Sequence, residues 1–160
     1  MDPAAKKKAL RLLSYGLCVA TSRDDTGLAA GTINWISQSS FTPPLVMVAI
    51  KADSGLHRAV AVSRIFAVHI VGKSQKELAA AFFRGAQSAA AAGTLNGYAV
   101  ETGQTGAPLL LAPPAWFECR VVNEVRGGDH TIFVGEVVDA GVRSEEEALT
   151  LRDTGFAYGG

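Results

Sequence analysis

The fold of this chain is decided by two consecutive segments, Ala30-Gly31-Thr32-Ile33-Asn34-Trp35-Ile36-Ser37-Gln38-Ser39-Ser40-Phe41-Thr42-Pro43-Pro44 and Leu45-Val46-Met47-Val48-Ala49-Ile50. The first segment sets uncharged hydrogen-bonding side chains between apolar neighbours. The second is a short apolar run, which predicts a strand buried on both faces. The two prolines between them end the polar segment, because proline has no N–H to donate to a sheet ladder.

The polar side chains of the first segment suit a flat ligand edged with heteroatoms. Each can both donate and accept a hydrogen bond, and they are Thr32, Asn34, Ser37, Gln38, Ser39 and Ser40. The buried strand 45–50 would hold them against a rigid core. Taken alone, the segment is either a ligand-binding site or a surface loop rich in serine and threonine, and both interpretations stay open.

Length and charge limit the classes of protein to consider. The 160 residues predict a single domain, 1–160, that is long enough to bury a core. Fifteen basic residues balance fifteen acidic ones, so there is no electrostatic case for binding nucleic acid or an anionic membrane. No apolar run approaches the ~20 residues of a membrane span, and Arg11 interrupts any signal-peptide core. We therefore expect a cytoplasmic protein.

Apolar and alternating segments predict about seven strands, joined mostly by hairpins. The predicted strands are 17–22, 28–34, 45–50, 65–71, 98–102, 116–125 and 130–140, and the predicted helices are 5–13 and 55–62. Capping boxes at 74–77 and 144–147 predict two further helices, and 87–93 is helix tail or loop. The pattern favours a mainly β fold, a closed or split antiparallel barrel with a few short helices.

Several kinds of site are excluded by the motifs that are missing. The sequence has no G-x-S-x-G elbow, P-loop, G-x-G-x-x-G fingerprint or C-x-x-C pair. The spacing of His57, His69 and His130 indicates no metal site. Cys18 and Cys119 each lie in an apolar stretch, which favours buried free thiols over a disulfide. His69 lies inside an apolar strand and is expected to be a hydrogen-bonded core residue.

Five motifs follow one another along the chain. They are Gly31-Thr32-x-Asn34 with Pro43-Pro44; Phe66-Ala67-Val68-His69-Ile70 with Gln75-Lys76-x-Leu78; Gly106-x-Pro108-Leu109; Trp116-x-Glu118-Cys119; and Gly128-Asp129-His130-Thr131-Ile132. Each motif is weak alone. In this order, over residues 12–135, they resemble the flavin reductase-like, FMN-binding split-barrel family, and Tyr158-Gly159-Gly160 is also similar to some members.

The resemblance implies a homodimeric split barrel that holds FMN, or sometimes FAD, near the dimer interface. Members pass hydride from NAD(P)H to flavin, or act as non-enzymatic electron carriers that dock a redox protein partner. Both remain candidate functions for this chain. A pyridoxamine phosphate oxidase-like enzyme fits the Thr-x-Asn and Gly-Asp-His motifs less well.

The resemblance also implies the site residues. The contacts expected for the isoalloxazine ring and the ribityl chain are Thr32, Ile33, Asn34, Trp35, Ser37, Gln38, Ser39 and Ser40. Phosphate contacts are expected at Lys51, Ser54 and His57, and further flavin contacts at Phe82, Phe83 and Arg84. His130 is the candidate catalytic residue, on the nicotinamide side of the flavin.

Bland alternatives stay open for some of these residues. His57 has the spacing of a surface helix residue, and His130 could be a strand-edge histidine paired with Asp129. Core packing explains one of Phe82 and Phe83. Three residues depart from the family pattern, namely Trp35, Thr42 and His69. A large ring at Trp35 would stack on or shield the flavin, which favours the electron-carrier alternative.

Overall fold

Antiparallel strands are the predominant secondary structure of the chain, as predicted. A computed structural model describes residues 1–159, in which the strands are β1 (Cys18–Asp24), β2 (Gly27–Ile33), β3 (Ile36–Ser40), β4 (Leu45–Lys51), β5 (Ile65–Ile70), β6 (Ala86–Ser88), β7 (Thr94–Leu95), β8 (Tyr98–Thr102), β9 (Pro108–Leu110), β10 (Ala115–Arg126) and β11 (His130–Val142). The helices are α1 (Pro3–Leu10), α2 (Gly55–Ser63), α3 (Lys76–Ala81) and α4 (Leu151–Thr154), with a 3-10 turn at Ala90–Ala92. None of the helices in this part of the chain is long and apolar enough to cross a membrane.

The main sheet has eight strands in the order β3-β4-β11-β10-β5-β1-β2-β6, and every neighbouring pair is antiparallel. Ile33 of β2 packs in one core cluster with Val48 and Ile50 of β4, although five places separate these strands in the sheet. The sheet therefore curls round its core, and the prediction of a split antiparallel barrel with a few short helices is confirmed. Strands β7, β8 and β9 form a second, small sheet.

The core lies on both faces of β1, because alternate residues of a strand point to opposite sides. Cys18 and Ala20 join the cluster inside the curled sheet, where α2 also packs, whereas Val19 joins the cluster beneath α3. Cys119 lies in the same cluster as Cys18, and both cysteines are buried free thiols, as predicted. Burial raises the pKa of each thiol to about 12, so both stay protonated and unreactive.

The polar segment forms a strand that the sequence did not predict. Strand β3 (Ile36–Ser40) pairs with β4 at the edge of the main sheet. Polar side chains are tolerated there, because one side of an edge strand faces solvent. Strands β6, β7 and β9 have only two or three residues each and were also not predicted. The stretch 87–93, predicted as helix tail or loop, begins in β6 and continues into the 3-10 turn.

Both predicted capping boxes are wrong. Helix α3 is capped at Gln75 without a side-chain hydrogen bond, and the N–H of Ser74 instead donates to Glu146 at 2.6 Å. A residue of the second predicted capping box, Glu146, therefore accepts a hydrogen bond from a residue of the first, Ser74. The capping box before α4 forms six residues later than predicted, between Thr150 and Asp153. The spacing of serine and glutamate fits a capping box, but residues of both segments form a long-range hydrogen bond instead.

Candidate functional site

A cavity of about 990 Å³ lies between β2, β4, the start of α2, the turn after α3 and the segment after α4. This volume is at the upper end of the range of ligand pockets, ~300–1,000 Å³. The predicted site residues on its wall are Thr32, Ile33, Asn34, Lys51, Ser54, Phe82, Phe83, Arg84 and His130. The cavity therefore unites nine predicted residues that come from distant parts of the chain.

Thr32 and Asn34 form a polar strip on the wall. The hydroxyl of Thr32 donates to the carbonyl of Ala79 at 2.6 Å, and its N–H donates to the carbonyl of Phe82 at 3.1 Å. These bonds fix the end of β2 against α3. Asn34 is only 6% exposed, and its Nδ2 has no hydrogen-bond partner among residues 1–159. Asn34 therefore brings a buried donor without an acceptor to the cavity.

One end of the cavity carries positive charge. Ser54 caps α2, because its Oγ accepts from the N–H of His57 at 3.1 Å, and the start of this helix reaches the cavity wall. The N-terminus of a helix attracts anions through its free N–H groups and its dipole. Lys51 is paired with Asp53 at 3.1 Å, whereas Arg84 makes no ion pair within the described residues. Arg84 and the helix start are thus the groups best placed to receive a phosphate.

The structure turns His57 away from the cavity wall. Its Nε2 lies 2.8 Å from the hydroxyl of Thr131, and its ring packs 5.3 Å from the ring of Phe133. Partial burial, and to a smaller extent the charge of Arg126, lowers the pKa of His57. His57 is thus a packing residue of α2 against β11, and a phosphate role for it stays a prediction without support from its position.

The other end of the cavity is aromatic. His130 hydrogen-bonds through Nδ1 to the carboxylate of Asp129 at 2.8 Å and through Nε2 to the hydroxyl of Tyr158 at 2.9 Å. The ring of Trp35 lies 4.6 Å from that of His130 and 5.4 Å from that of Tyr158. Trp35 packs against these two side chains and is not itself part of the cavity wall. His130 therefore pairs with Asp129, as the alternative interpretation predicted, and it also lies on the cavity wall.

Phe82 and Phe83 divide as predicted between core and site. Phe82 has no exposed surface and packs against Tyr98, with ring centroids 5.7 Å apart. Phe83 is half exposed and meets the ring of Phe156 edge-on at 4.8 Å. Phe82 is thus a core residue whose edge reaches the cavity, and Phe83 is a wall residue.

Besides Trp35 and His57, four predicted contacts lie outside the cavity, namely Ser37, Gln38, Ser39 and Ser40. They lie along edge strand β3, where the hydroxyl of Ser37 donates to the carbonyl of Gln38. Their assignment to the flavin stays a prediction. Phe156 and Tyr158 lie on the cavity wall after α4 and were not predicted as site residues. Two aromatic residues spaced two apart were the available signal, since such a pair faces one side of an extended chain.

Metal binding has no visible site in the described part of the chain. Within residues 1–159 no group of three or more histidine, cysteine, aspartate or glutamate side chains could hold a metal ion. The cavity therefore combines a free amide donor, a cationic end and an aromatic end, which is a set of groups for an organic anion with a flat ring system.

Comparison with known proteins identifies relatives. The family model described as "Flavin reductase like domain" matches residues 10–160. The reductase component of a 4-nitrophenol monooxygenase from Rhodococcus opacus is 32% identical over 140 residues, 88% of this chain and 72% of that protein. The FMN reductase (NADH) SmoA of Agrobacterium fabrum is 31% identical over 153 residues, 96% of this chain and 83% of that protein.

Other matches differ in length or are solved structures. A protein of Rhizobium meliloti named "Probable flavin reductase" is 29% identical over 99% of this chain, but this chain spans only 48% of that protein. The structure of the NADH:FAD oxidoreductase SgcE6 from Streptomyces globisporus superposes with a TM-score of 0.79 at 26% identity. The superposition covers 100% of this chain and 91% of that one.

Proposed function

The chain belongs to the flavin reductase like domain family, and we propose that it binds FMN and passes electrons from NADH through the flavin to an acceptor. The observation that carries this proposal is the amide of Asn34. Its buried Nδ2 has no acceptor among the described residues. Leaving such a donor unpaired costs about 1–3 kcal/mol, and an acceptor atom on the edge of a ligand would remove that cost.

The other groups of the cavity fit the remaining parts of a flavin nucleotide. Carbonyl oxygens and ring nitrogens on the edge of an isoalloxazine ring supply the acceptor that Asn34 lacks. A phosphate would be held by Arg84 and the N-terminus of α2, with a smaller contribution from Lys51 because Asp53 already neutralises it. FAD carries the same groups and remains the alternative flavin.

Bound flavin would supply the redox chemistry, since its ring takes up hydride from NADH and later releases electrons to an acceptor. The protein supplies position and electrostatics. Asn34 and Thr32 orient the ring, Arg84 anchors the phosphate, and His130 with its partner Asp129 closes the aromatic end. This division of labour needs no nucleophile or catalytic triad, which agrees with the absence of such motifs from the sequence.

A reductase is favoured over a pure electron carrier by the position of Trp35. The carrier alternative is favoured by a Trp35 ring that covers the flavin, whereas this ring packs against His130 and Tyr158 and lies outside the cavity wall. The cavity volume of about 990 Å³ leaves room for a second ligand beside the flavin. We therefore propose direct oxidation of a nicotinamide nucleotide, and the relative named FMN reductase (NADH) favours NADH over NADPH as the donor.

A spectroscopic experiment tests the proposed function. Purified protein is titrated into FMN while flavin fluorescence is followed, and the complex is then mixed with NADH without oxygen. We expect quenched fluorescence and bleaching of the yellow flavin within seconds. Protein that leaves FMN fluorescence unchanged would overturn the proposal, and binding without bleaching by NADH or NADPH would favour the electron carrier.

We also propose a homodimer, because an apolar face of the main sheet is left uncovered. Met47 of β4 and Ile132 of β11 are 40% and 38% exposed. Val125 of β10 lies directly opposite Ile132 and is exposed as well. The same face carries Ala49 and His130 on the cavity wall. A second copy seated here would cover the patch and lie next to the flavin.

The acceptor of the electrons is proposed to be a partner oxygenase or another redox protein. A relative named as the reductase component of a monooxygenase supports a partner of this kind. We further propose that residues 1–160 act as one functional domain in the cytoplasm, because the family match spans residues 10–160 and both cysteines are free thiols.

A further inference from the structure

The short edge strand β6 brings a polar side chain to the start of α2. Gln87 of β6 lies opposite Ala29 of β2, and the side chains of such a pair share one face of the sheet. Residue 31, two positions further along β2, faces the same way. Helix α2 packs on this face, because Leu56 Cδ2 lies 3.5 Å from the position that a β-carbon would take on Gly31. Gln87 and α2 are therefore on the same side of the sheet.

The first residue of α2, Gly55, is in direct contact with the amide of Gln87. A β-carbon on residue 55 would clash with Nε2 of Gln87 and would lie 3.0 Å from its Cδ. Any residue other than glycine would therefore displace the amide. Gly55 thus leaves the space in which the Gln87 amide lies against the N-terminus of the helix.

Several hydrogen-bond donors meet at this point without an acceptor. The N–H groups of the first helical turn have no partner inside a helix, and the side chain of Ser54 accepts only from that of His57. The amide of Gln87 forms no hydrogen bond with the described residues, and Nε2 is its atom nearest Gly55. Gln87 and Gly55 both lie on the cavity wall, as does Asn34 with its buried, unpartnered amide. The missing acceptor is therefore an atom of a ligand in this cavity.

The charges on the wall favour an anion as that acceptor. Arg84 lies on the wall three residues before Gln87 and makes no ion pair within residues 1–159. Among the described residues of the wall the only carboxylate is that of Asp53, which is already paired with Lys51 at 3.1 Å. Donors thus come from three elements, namely the start of α2, the turn after α3 with Arg84, and β6 with Gln87.

Three groups of donors match a terminal phosphate. A phosphate monoester has three free oxygens that accept hydrogen bonds. In the diphosphate of FAD, one of the corresponding oxygens bridges to the second phosphate, so only two stay free. On the basis of the proposed function, we propose that Gln87 is a specificity-determining residue that selects FMN over FAD. Its amide donates to the third oxygen of the FMN phosphate, and Gly55 acts as a positioning residue for that amide.

The test compares Gln87→Leu with wild-type protein in fluorescence titrations of FMN, FAD and riboflavin. Leucine keeps the approximate size of the side chain but cannot donate. The affinity for FMN should fall by about 10-fold, as expected for one hydrogen bond to a charged group, whereas those for FAD and riboflavin should stay within about twofold. Gln104→Leu is the matched control, because Gln104 is exposed and lies outside the cavity wall, and it should leave all three affinities unchanged.

The contact between Gly55 and Gln87 gives a second test. Gly55→Ala should displace the amide and weaken FMN binding by a factor similar to that of Gln87→Ala. The double variant should bind FMN no more weakly than Gln87→Ala alone, because the amide that the new β-carbon displaces is already gone. Additive losses would contradict the positioning role of Gly55.

Equal losses of affinity for FMN and FAD in Gln87→Leu would overturn the proposal, and so would wild-type protein that binds both flavins equally well. Unchanged FMN binding with a lower midpoint of thermal unfolding would also overturn it, since the Gln87 amide would then cap α2 instead. Equal losses for FMN and riboflavin would place Gln87 beside the ring. Wild-type protein that binds no flavin would instead reject the proposed function itself.

Discussion

The backbone N–H of Leu110 donates a hydrogen bond of 2.9 Å to Nε2 of His69, a side chain with no exposed surface. Since Nε2 accepts, the ring proton lies on Nδ1, which donates to the carbonyl of Val19 at 3.0 Å. One neutral imidazole therefore joins β9 to β5 and β1. The prediction that His69 is a hydrogen-bonded core residue is confirmed, and its bonds require the uncharged form.

Acid should destabilise the fold through His69. Burial lowers its pKa from 6.5 to about 4. Between these two values the unfolded chain binds a proton that the folded chain does not. The free energy of unfolding should therefore fall as the pH drops from about 6.5 to about 4, by up to about 3 kcal/mol, and His69 should add no pH dependence above this window. Urea unfolding at a series of pH values measures the effect.

The variant His69→Gln separates this effect from that of other titrating groups. Its stability should depend less on pH in the same window than that of wild-type protein. Equal slopes for the two proteins would contradict the assignment. If the variant does not fold, NMR titration of the His69 ring in wild-type protein gives the pKa directly.

Glu118 should contribute more to stability than an exposed glutamate. Its carboxylate has no exposed surface and accepts from the N–H groups of Gln104 and Thr105 at 2.7 and 2.9 Å. In Glu118→Gln an amide N–H₂ would face one of these donors, which should cost about 1–3 kcal/mol. Glu101→Gln, which removes only an exposed pair with Arg143, should cost less than about 1 kcal/mol. Thermal unfolding of both variants gives the comparison, and equal losses would argue against a special role.

The order of the long elements could be predicted from the sequence, because hydrophobic periodicity is local. Strands β1, β2, β4, β5, β10 and β11 have six to thirteen residues, long enough for an apolar run or an apolar alternation to identify them. The short strands β6, β7 and β9 could not be identified, since two or three residues contain no period. The capping boxes failed for a different reason. The carboxylate of Glu146 accepts a hydrogen bond from the N–H of Ser74, which is 72 residues away. No local sequence pattern indicates such a contact.

The residues of the candidate site could likewise be predicted only in part. Thr32, Asn34 and Arg84 were identified through the family resemblance, and the fold brings all three to one cavity. Ser37 and its polar neighbours have equally suitable side chains, but the edge position of β3 leaves them outside. Which member of a polar run meets a ligand depends on the curl of the sheet, and that is set by contacts distant in sequence.

Asn34 and Gln38 make opposite predictions for flavin binding. Asn34→Leu removes a buried donor without a partner and keeps the volume, so the free energy of unfolding without ligand should rise by about 1–3 kcal/mol, the cost of that unpaired donor. Affinity for FMN should fall by about 5- to 10-fold, as expected for one lost hydrogen bond. Gln38→Ala should leave the affinity within about twofold, because the side chain is exposed on β3. Fluorescence titration measures both, and a larger loss from Gln38→Ala would restore the polar run as the binding site.

Arg84 should distinguish FMN from riboflavin. Arg84 lies on the cavity wall and makes no ion pair within residues 1–159, so its guanidinium group is free to bind a phosphate. Arg84→Gln should weaken FMN binding by about 10- to 100-fold, as expected for a charged hydrogen bond. Riboflavin, which has no phosphate, should bind both proteins equally. Lys51→Gln is the control and should have a smaller effect, since Asp53 already pairs with Lys51. Equal losses for FMN and riboflavin would place Arg84 beside the ring instead.

A charge at Ile132 should separate the proposed dimer into monomers. Ile132 lies between Ala49 and Val125 on the exposed apolar face, so in a dimer its side chain would be buried in the interface. Ile132→Lys would place an unpaired ammonium group there, at a cost of several kcal/mol, whereas in a monomer the group would stay in solvent. Sedimentation should show dimer for wild-type protein and monomer for the variant, with unchanged thermal unfolding of the monomer. Val142→Lys is the control, because Val142 is 76% exposed at the far end of β11 and should leave the dimer intact. Wild-type protein that sediments as a monomer would reject the dimer, and the exposed face would then need another occupant.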